Sequence, residues 1–472
     1  MNLKTLSLLC TFFVGFLSFV GWASGSWHIE KHTSQSQNAE TEISDNETGP
    51  LDDNDEELRE NPQIEKNDDD EIGITIPDFI KENSNHIIKN GADWSRAQQK
   101  LSNSSRHPFS VVHIGDSHLQ ADISSGTIRE MMQYDYGNAG RGLVIPFRMA
   151  STNEPWDYEI SSHQGWHSAK LLKRPWKQPI WFTGLSISPI STSGDLFVGT
   201  KEDTDYNPFS AMTIFHTGKL NIISVENRDN EEISFSQVGV SGGTLVRLSS
   251  EESGVRLNFT SEDCSIMGIN LSGQRPGVFY HTIGNNGATY ASYNSLPHMG
   301  RGVRLLYPDI IILSLGTNEA FGSFDESSFL KNVDILVKDL QKWSPDAIIL
   351  LTTPMECQRS VYSSSARKVK KKVRVRVKGK KKYTTRTVTQ KVRHRGYSIN
   401  NNVSEVRDAI LKYGRQNGIS VYDWYDVAGG KGISADWINA GLYGSDRIHH
   451  TSKGYRLQGY MLYKALSEAF NQ

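Results

Sequence analysis

Short apolar runs alternate with amphipathic stretches from about residue 77 onwards. Runs of about four to eight apolar residues without alternation are typical of strands buried on both faces of a parallel sheet. The stretches between them have the length and spacing of helices. The predicted strands are Phe109–Ile114, Val278–Ile283, Asp309–Leu315, Ala347–Leu351 and Ile419–Trp424, and the predicted helices are Ser124–Tyr134, Glu326–Trp343, Val403–Gln416 and Lys453–Phe470. This order of strand, loop and helix predicts a doubly wound α/β sheet.

The pattern changes between residues 150 and 275, where no long helical period occurs. Strand-like segments separated by Gly, Ser, Asn and Asp stand there instead, for example Gly194–Val198, Ala211–His216, Leu220–Val225 and Val255–Phe259. We therefore predict an inserted all-β sandwich domain at 150–275, which divides the α/β domain into residues 77–149 and 276–472. Four tryptophans near its start serve either as core or as a platform for sugars: Trp156, Trp166, Trp176 and Trp181.

The first residues have the order of a secretory signal peptide, with Lys4, an apolar run over Leu6–Val20 and then small residues. We predict a signal peptide at 1–24 and a periplasmic or secreted protein. The run is shorter than the roughly 20 residues of a spanning helix, which disfavours an uncleaved membrane anchor. Residues 25–76 are predicted to be a disordered acidic linker, because Glu40–Glu71 carries 15 acidic and 2 basic side chains and no aromatic residue.

A second charged block, Arg367–Arg395, carries 15 Lys and Arg residues and no carboxylate, although the formal charge of the whole chain is only −2. Val alternates with Arg or Lys before Gly379, and a strand-like pattern resumes at Thr384–Val392, so that a projecting β-hairpin is predicted at 367–395. It is either a solvated hairpin or a clamp on an anionic polymer, such as a cell-wall glycan or the acidic linker itself. The signal peptide argues against nucleic acid as a partner.

Candidate chemistry lies just after the predicted strands, where ligands bind in sheets of this kind. The first strand is followed by Gly-Asp-Ser, which ends at Ser117 near the start of a helix, so that Ser117 is either a nucleophile or an ordinary N-cap. Asp446 and His449 are spaced so that the carboxylate can orient the imidazole as a general base. Other residues compete for these roles: His450, Asp423 and Asp426.

Two further loops offer donors for the oxyanion of a tetrahedral intermediate. Gly287 ends a Gly-Asn-Asn-Gly sequence after the strand Val278–Ile283, and Asn318 ends a Gly-Thr-Asn sequence after the strand Asp309–Leu315. Taken singly, Gly287 is also compatible with a turn and Asn318 with a helix cap. The appearance of all four motifs in order, each beside its own element, indicates a single site.

These motifs resemble the four sequence blocks of the SGNH hydrolases, which are GDS-motif serine esterases. The resemblance covers residues 77–149 and 276–472 and implies a flavodoxin-like sheet. It also implies that Ser117 is the nucleophile, that His449 is the general base and that Asp446 orients it. The oxyanion hole would consist of the Ser117 N–H, the Gly287 N–H and the Asn318 side chain.

A narrower resemblance rests on His118 after the serine, on Gly-Asn-Asn-Gly-Ala-Thr-Tyr at 284–290, on Leu-Gly-Thr-Asn-Glu at 315–319 and on the inserted β domain. Together these features are similar to the periplasmic peptidoglycan O-acetylesterases, whose inserted domain resembles a carbohydrate-binding module. The resemblance implies hydrolysis of acetyl esters on an acetylated glycan, without a metal or an organic cofactor.

Several alternatives stay open at the level of the sequence. The same Ser117 intermediate could pass its acetyl group to a sugar hydroxyl, which would make the protein an O-acetyltransferase. The ester could belong to another acetylated polysaccharide, or the chain could be a carbohydrate-binding protein on an inactive hydrolase scaffold. The sequence fixes neither the oligomeric state nor whether Cys264 and Cys357 pair.

Overall fold

The computed structural model describes residues 74–201, 207–378 and 380–471. The predicted signal peptide at 1–24 lies outside these ranges, and so does the predicted linker at 25–76 except for its last three residues. None of the helices in the described ranges combines the length and the apolar character that crossing a membrane requires.

Strands and helices alternate as the apolar pattern predicted for the α/β part. The strands are β1 (Ile87–Ile88), β2 (Phe109–Gly115), β3 (Gly142–Val144), β4 (Tyr158–Ser161), β5 (Trp166–Lys170), β6 (Leu185–Pro189), β7 (Ser193–Thr200), β8 (Phe209–Asn227), β9 (Phe235–Val240), β10 (Gly243–Glu252), β11 (Gly254–Ser272), β12 (Val278–Gly284), β13 (Ile310–Ser314), β14 (Ile348–Thr352), β15 (Gln358–Val377), β16 (Lys380–Ile399) and β17 (Ser420–Tyr422).

The helices include several short ones that the sequence pattern did not predict. The α-helices are α1 (Ser95–Ser102), α2 (Ser117–Gln120), α3 (Ile123–Tyr136), α4 (Tyr290–Asn294), α5 (Met299–Val303), α6 (Glu326–Trp343), α7 (Asn402–Asn417), α8 (Trp424–Val427), α9 (Ser434–Asn439) and α10 (Ser452–Asn471), and the 3-10 helices are Glu82–Ser84, Arg148–Ala150, Arg304–Leu306 and Glu319–Phe321.

Six strands form the central sheet in the order β1-β17-β14-β13-β2-β12. The last five run parallel, and β1 pairs antiparallel with β17 at one edge. Counted along the chain, the five parallel strands lie in the order 2-1-3-4-5, which is the flavodoxin-like arrangement. The prediction of a doubly wound sheet is confirmed. The antiparallel edge strand β1 makes the sheet mixed, and Ile87–Ile88 is too short a run to be recognised as a strand in the sequence.

Each central strand contributes to two cores, because successive side chains point to opposite faces of a sheet. In β2, Phe109 and Val111 pack with α1, α3 and α10, whereas Val112 and Ile114 pack on the other face with α6 and α7. The second core continues without interruption into the strands that precede β12. The sheet is therefore covered on both faces, as its continuous apolar strands predicted.

A second sheet contains the nine strands β3 to β11, in the order β4-β7-β11-β8-β10-β9, with β3 and β6 paired with β11 and β5 paired with β6. The two segments predicted at 211–216 and 220–225 are parts of one 19-residue strand, β8. Pairing also begins ahead of the predicted boundary at residue 150, since Leu143 in β3 lies opposite Asn270 in β11. The three residues of β3 are too few to show the alternation by which strands are recognised.

The basic block forms a two-stranded sheet of β15 and β16. Each strand has 20 residues, and their register runs from the pair Gln358 and Ile399 to the pair Val377 and Lys380. The hairpin is therefore longer than the predicted range 367–395. Beyond its first pair, the Asn400 N–H donates to the Cys357 carbonyl at 3.0 Å, so the hairpin base joins the body of the protein.

Cys264 and Cys357 are both buried and both free. Burial raises the pKa of each thiol to about 12. Both are therefore protonated at neutral pH and behave as small apolar residues rather than as nucleophiles.

Candidate active site

Ser117 is the first residue of α2, two positions after the end of β2. A Cβ on Gly115 would lie 2.7 Å from the carbonyl oxygen of Ser314, so that glycine is needed where β2 passes β13. Asp116 caps α2, and its Oδ1 accepts the His118 backbone N–H at 2.9 Å. This sharp exit from the strand places Ser117 at the carboxyl edge of the sheet.

Ser117, His449 and Asp446 form a hydrogen-bonded row. Ser117 Oγ lies 2.7 Å from His449 Nε2, and His449 Nδ1 lies 2.6 Å from Asp446 Oδ2. Asp446 Oδ1 accepts the backbone N–H groups of Ile448 at 2.9 Å and of His449 at 3.0 Å. The structure thus brings together three residues that the sequence analysis singled out, in the geometry of a nucleophile, a base and an orienting acid.

The charge state of Asp446 suits an orienting acid. Burial would raise the pKa of this carboxyl, but the hydrogen bond and charge of His449 and the two backbone N–H groups lower it to about 2. Asp446 is therefore ionised at neutral pH, when it can hold the imidazole and stabilise the imidazolium that forms on proton transfer.

The competing residues have other partners. His450 is buried among aromatic rings, and burial lowers its pKa to about 3. Asp423 is bound by Arg407 at 2.6 Å, and Asp426 by Lys81 at 2.7 Å. These contacts give the three residues roles in packing and in ion pairs, whereas His449 faces Ser117.

His118 packs behind the row as a neutral ring. Its centroid lies 5.1 Å from that of His449, and its Nδ1 lies 3.1 Å from the Tyr455 hydroxyl. Burial, together with the nearby His449 and His450, lowers the pKa of His118 well below its usual range. His118 therefore adds no second positive charge beside the base.

The loop after β12 carries Gly287 with a φ of +76°, a conformation that favours glycine. The Asn286 N–H donates to Gln120 Oε1 at 2.8 Å, and Gln120 Nε2 donates to Asn153 Oδ1 at 2.6 Å. Leu172 Cδ1 lies 2.9 Å from the position that a Cβ on Gly287 would occupy. The sequence analysis missed Gln120, Asn153 and Leu172, because no motif marks residues that meet only in the folded chain.

Asn318 lies in the loop that follows β13, close to Asp116, the residue that caps α2. Its Nδ2 donates to the Ala288 carbonyl at 3.0 Å and to Asp116 Oδ2 at 3.2 Å. Burial raises the pKa of Asp116 to about 6. Both amide N–H groups of Asn318 therefore have a protein acceptor in this conformation, and the bond to Asp116 is the longer one.

Residues 267–457 match the model of the GDSL-like lipase/acylhydrolase family. The matched range contains Gly287, Asn318, Asp446 and His449, whereas Ser117 precedes it. No curated protein sequence matches the chain. Over these residues the chain resembles the GDSL-like lipases and acylhydrolases, which supports a serine esterase or acylhydrolase.

Among solved structures, a peptidoglycan O-acetylesterase is similar at a TM-score of 0.61 and 20% identity, covering 82% of this chain and 99% of its own. A carbohydrate esterase family 3 protein from Talaromyces cellulolyticus has a TM-score of 0.27 at 16% identity, covering 42% of this chain and 76% of its own. A lipase/acylhydrolase from Enterococcus faecalis has a TM-score of 0.27 at 14% identity, covering 41% and 77%. The first of these structures shares the fold of this chain. This chain therefore resembles the peptidoglycan O-acetylesterases in fold.

Proposed function

We propose that this protein hydrolyses O-acetyl esters on a carbohydrate polymer, and that the polymer is peptidoglycan. The hydrogen-bonded row of Ser117, His449 and Asp446 carries the proposal, since it has the distances that nucleophilic ester cleavage requires. Similarity of fold to a peptidoglycan O-acetylesterase over 82% of this chain supports the choice of polymer.

In the first step, Ser117 Oγ attacks the acetyl carbonyl carbon while His449 Nε2 takes the hydroxyl proton. The new C–O bond pushes the carbonyl electrons onto oxygen, and this oxyanion accepts hydrogen bonds from the Ser117 and Gly287 N–H groups and from the Asn318 amide. The Ser117 N–H is free of helical bonding because it lies in the first turn of α2. We expect Asn318 to exchange its longer bond, to Asp116, for the oxyanion.

The first half of the reaction ends when His449 gives the proton to the sugar oxygen as the bond between that oxygen and the acetyl carbon breaks. Water then enters, loses a proton to His449 and attacks the acetyl group on Ser117. Collapse of the second oxyanion breaks the bond between the acetyl carbon and Ser117 Oγ, His449 returns its proton to Oγ, and acetate is released. Asp446, ionised throughout, stabilises the imidazolium in both halves.

We also propose that residues 150–275 form an inserted all-β domain, a sandwich that shapes the substrate cleft. Leu172, half exposed, stands beside Gly287 and would form an apolar wall next to the acetyl group. The partly buried Trp166, Trp176 and Trp181 pack against the core, which favours their role in packing over an open platform for sugars.

The sequence of residues 1–24 supports a periplasmic or secreted location.

Replacing the nucleophile tests the proposal. Ser117→Ala should lower acetate release from O-acetylated peptidoglycan, and hydrolysis of 4-nitrophenyl acetate, by about 10⁴-fold or more, because the attacking oxygen is lost. Ser327→Ala, an exposed serine on α6, is the matched control and should leave both rates unchanged. Retention of more than a tenth of either rate by Ser117→Ala would contradict the mechanism. Equal acetate release from acetylated xylan by the wild type would contradict the choice of polymer.

A further inference from the structure

The β15–β16 hairpin separates its cations between two faces. In an antiparallel pair, directly opposed residues share a face, and successive residues alternate. From the register, one face carries eight exposed cations among the side chains that the structure describes, together with Tyr362, Tyr383 and Tyr397. We call it the basic face, and its cations are Lys368, Lys370, Lys372, Arg374, Lys381, Lys391, Arg393 and Arg395.

The opposite face differs in composition. It carries most of the valines of the hairpin and fewer cations. Its described apolar residues are Val361, Val369, Val373, Val388 and Val392, and its described cations are Arg359, Arg367, Lys371, Lys380 and Arg386. No Asp or Glu occurs between residues 358 and 399 to neutralise either face. Both faces of the hairpin are therefore positively charged, and the basic face carries more cations than the opposite face.

The cations of the basic face form an extended line along the hairpin. Twenty residues per strand at about 3.4 Å each extend for about 68 Å, and cations two residues apart along β15 recur at about 7 Å. On the basic face, Lys368, Lys370 and Lys372 lie opposite Thr389, Thr387 and Thr385 in the register, so that a line of ammonium groups runs beside a line of hydroxyl groups. Such a surface suits a linear polymer with both charges and hydroxyl groups.

The basic face is fastened to the loop that carries the acid and the base. Arg447, which lies between Asp446 and His449, receives the Gln358 N–H on its carbonyl at 3.0 Å and donates from Nη1 to Gln358 Oε1 at 2.8 Å. Its guanidinium lies 3.9 Å from the ring centroid of Tyr397. Tyr397 and Arg447 therefore connect the basic face with Asp446 and His449, which lie beside Ser117.

We propose that the basic face binds a linear anionic glycan, the strand whose acetyl ester is cleaved at Ser117, and guides it along the hairpin to the site. The inference rests on the proposed function. The carboxylates of the strand pair with the Lys and Arg row, and its hydroxyl groups contact the threonines and tyrosines. Tyr383 is 70% exposed, which leaves its ring open to sugars, whereas the Arg393 guanidinium covers one face of the Tyr362 ring at 3.7 Å from its centroid.

Other occupants fit the surface less well. Residues 358–399 contain no Leu, Phe or Trp, the side chains that insert into a lipid interface. Nucleic acid matches the charge but not the predicted location. The acidic segment Glu40–Glu71 of the same chain also matches the charge. If this segment occupied the basic face, neutralising that face would not weaken glycan binding.

The first experiment measures binding without turnover. In the full chain carrying Ser117→Ala, the basic face is neutralised by Lys368→Gln, Lys370→Gln, Lys372→Gln and Arg374→Gln, and the matched control neutralises four cations of the opposite face by Arg367→Gln, Lys371→Gln, Lys380→Gln and Arg386→Gln. Sedimentation with peptidoglycan sacculi, freed of acetyl groups by mild base, gives the affinity at several salt concentrations. We expect neutralising the basic face to weaken binding about tenfold or more and to flatten its salt dependence, with less than about a threefold effect of the control.

The second experiment measures turnover in chains that keep Ser117. Neutralising the basic face should raise KM for soluble O-acetylated glycan strands about tenfold, while kcat and the hydrolysis of 4-nitrophenyl acetate stay unchanged. Equal effects of the two sets of substitutions would overturn the proposal, as would tighter binding to DNA or to anionic lipid vesicles than to sacculi. If Ser117 proves necessary for the small ester but the sacculi do not bind, the hairpin proposal fails and the esterase mechanism stands.

Discussion

At the scale of single residues, the state of Asp446 determines how His449 can work. Three hydrogen bonds, one from the imidazole and two from backbone N–H groups, hold the carboxylate and keep it ionised. With Asp446 accepting from Nδ1, the other nitrogen of the ring is left without its proton and faces Ser117 Oγ. In the proposed mechanism, this carboxylate, three residues away in the chain, sets the direction of proton transfer.

Asp446→Asn should lower kcat for 4-nitrophenyl acetate by about 10⁴-fold, because an amide cannot stabilise the imidazolium and can favour the wrong tautomer. Asp426→Asn is the control, since Asp426 competed for the same role in the sequence and is bound by Lys81 instead. It should leave kcat unchanged, and both variants should unfold at the wild-type temperature. A loss of less than tenfold for Asp446→Asn would remove this residue from the mechanism.

At the scale of elements, α2 and the loop after β12 are joined by Gln120. This side chain accepts from the Asn286 N–H and donates to Asn153, so that one amide connects α2, the Gly287 loop and the segment between β3 and β4. Gln120 is 3% exposed, which shields these bonds from water. It is a positioning residue, because it acts on the candidate oxyanion donor Gly287 through the loop.

Gln120→Ala should lower kcat for 4-nitrophenyl acetate about tenfold with little change in KM, because the loop loses its anchor and the Gly287 N–H is less well placed for the oxyanion. Gln120→Glu keeps the acceptor for the Asn286 N–H and should recover part of kcat. Gln98→Ala, which removes an amide bound to the Ala469 carbonyl, should leave kcat unchanged. A change confined to KM, or no rescue by Glu, would argue against positioning by Gln120.

At the scale of the whole molecule, a buried group of four charges connects α3 with the start of the nine-stranded sheet. Arg129 lies 2.6 Å from Asp122 and 2.8 Å from Asp157, and Arg141 lies 2.5 Å from Asp122. All four side chains are buried. Burial would raise the pKa of Asp122, but the charges of Arg129 and Arg141 hold it well below its usual range. The α/β part and the β region are therefore linked electrostatically as well as through a shared core.

Arg129→Met should lower the free energy of unfolding at pH 7 by about 3–5 kcal/mol, because two buried carboxylates lose a partner. Arg96→Met is the matched control: Arg96 pairs with Asp346 at the surface, where the loss should be about 0–1 kcal/mol. Urea denaturation followed by circular dichroism measures both. Similar losses in the two variants would contradict a structural role for the buried group.

The same four charges predict acid lability. The depressed pKa of Asp122 contributes stability that is fully present above about pH 4, the ordinary pKa of an aspartate, and is lost as the pH falls through the lower folded value. In Arg129→Met the folded pKa of Asp122 rises towards its ordinary value. Stability should therefore fall less steeply below pH 4 in Arg129→Met than in Arg96→Met, as urea denaturation at pH 2.5 to 5 would show.

The sequence by itself determined the five parallel strands of the central sheet and the candidate site residues. Its strands are continuous apolar runs, and this pattern follows from burial on both faces whatever the distant partners are. Ser117, Gly287, Asn318 and the pair Asp446 and His449 could be singled out because each belongs to a short motif beside a strand or helix. These signals are local, so one segment of chain contains each of them.

Only the tertiary structure decided which residues meet. It distinguishes His449 from His450, because the His449 ring faces Ser117 whereas the His450 ring is buried among aromatic side chains. It also revealed β1, the early start of the nine-stranded sheet and Gln120 as an anchor. The link from the basic hairpin to Arg447 likewise joins segments about 50 to 90 residues apart in the chain. Such contacts depend on packing between distant segments, for which neither apolar periodicity nor motif spacing holds a signal.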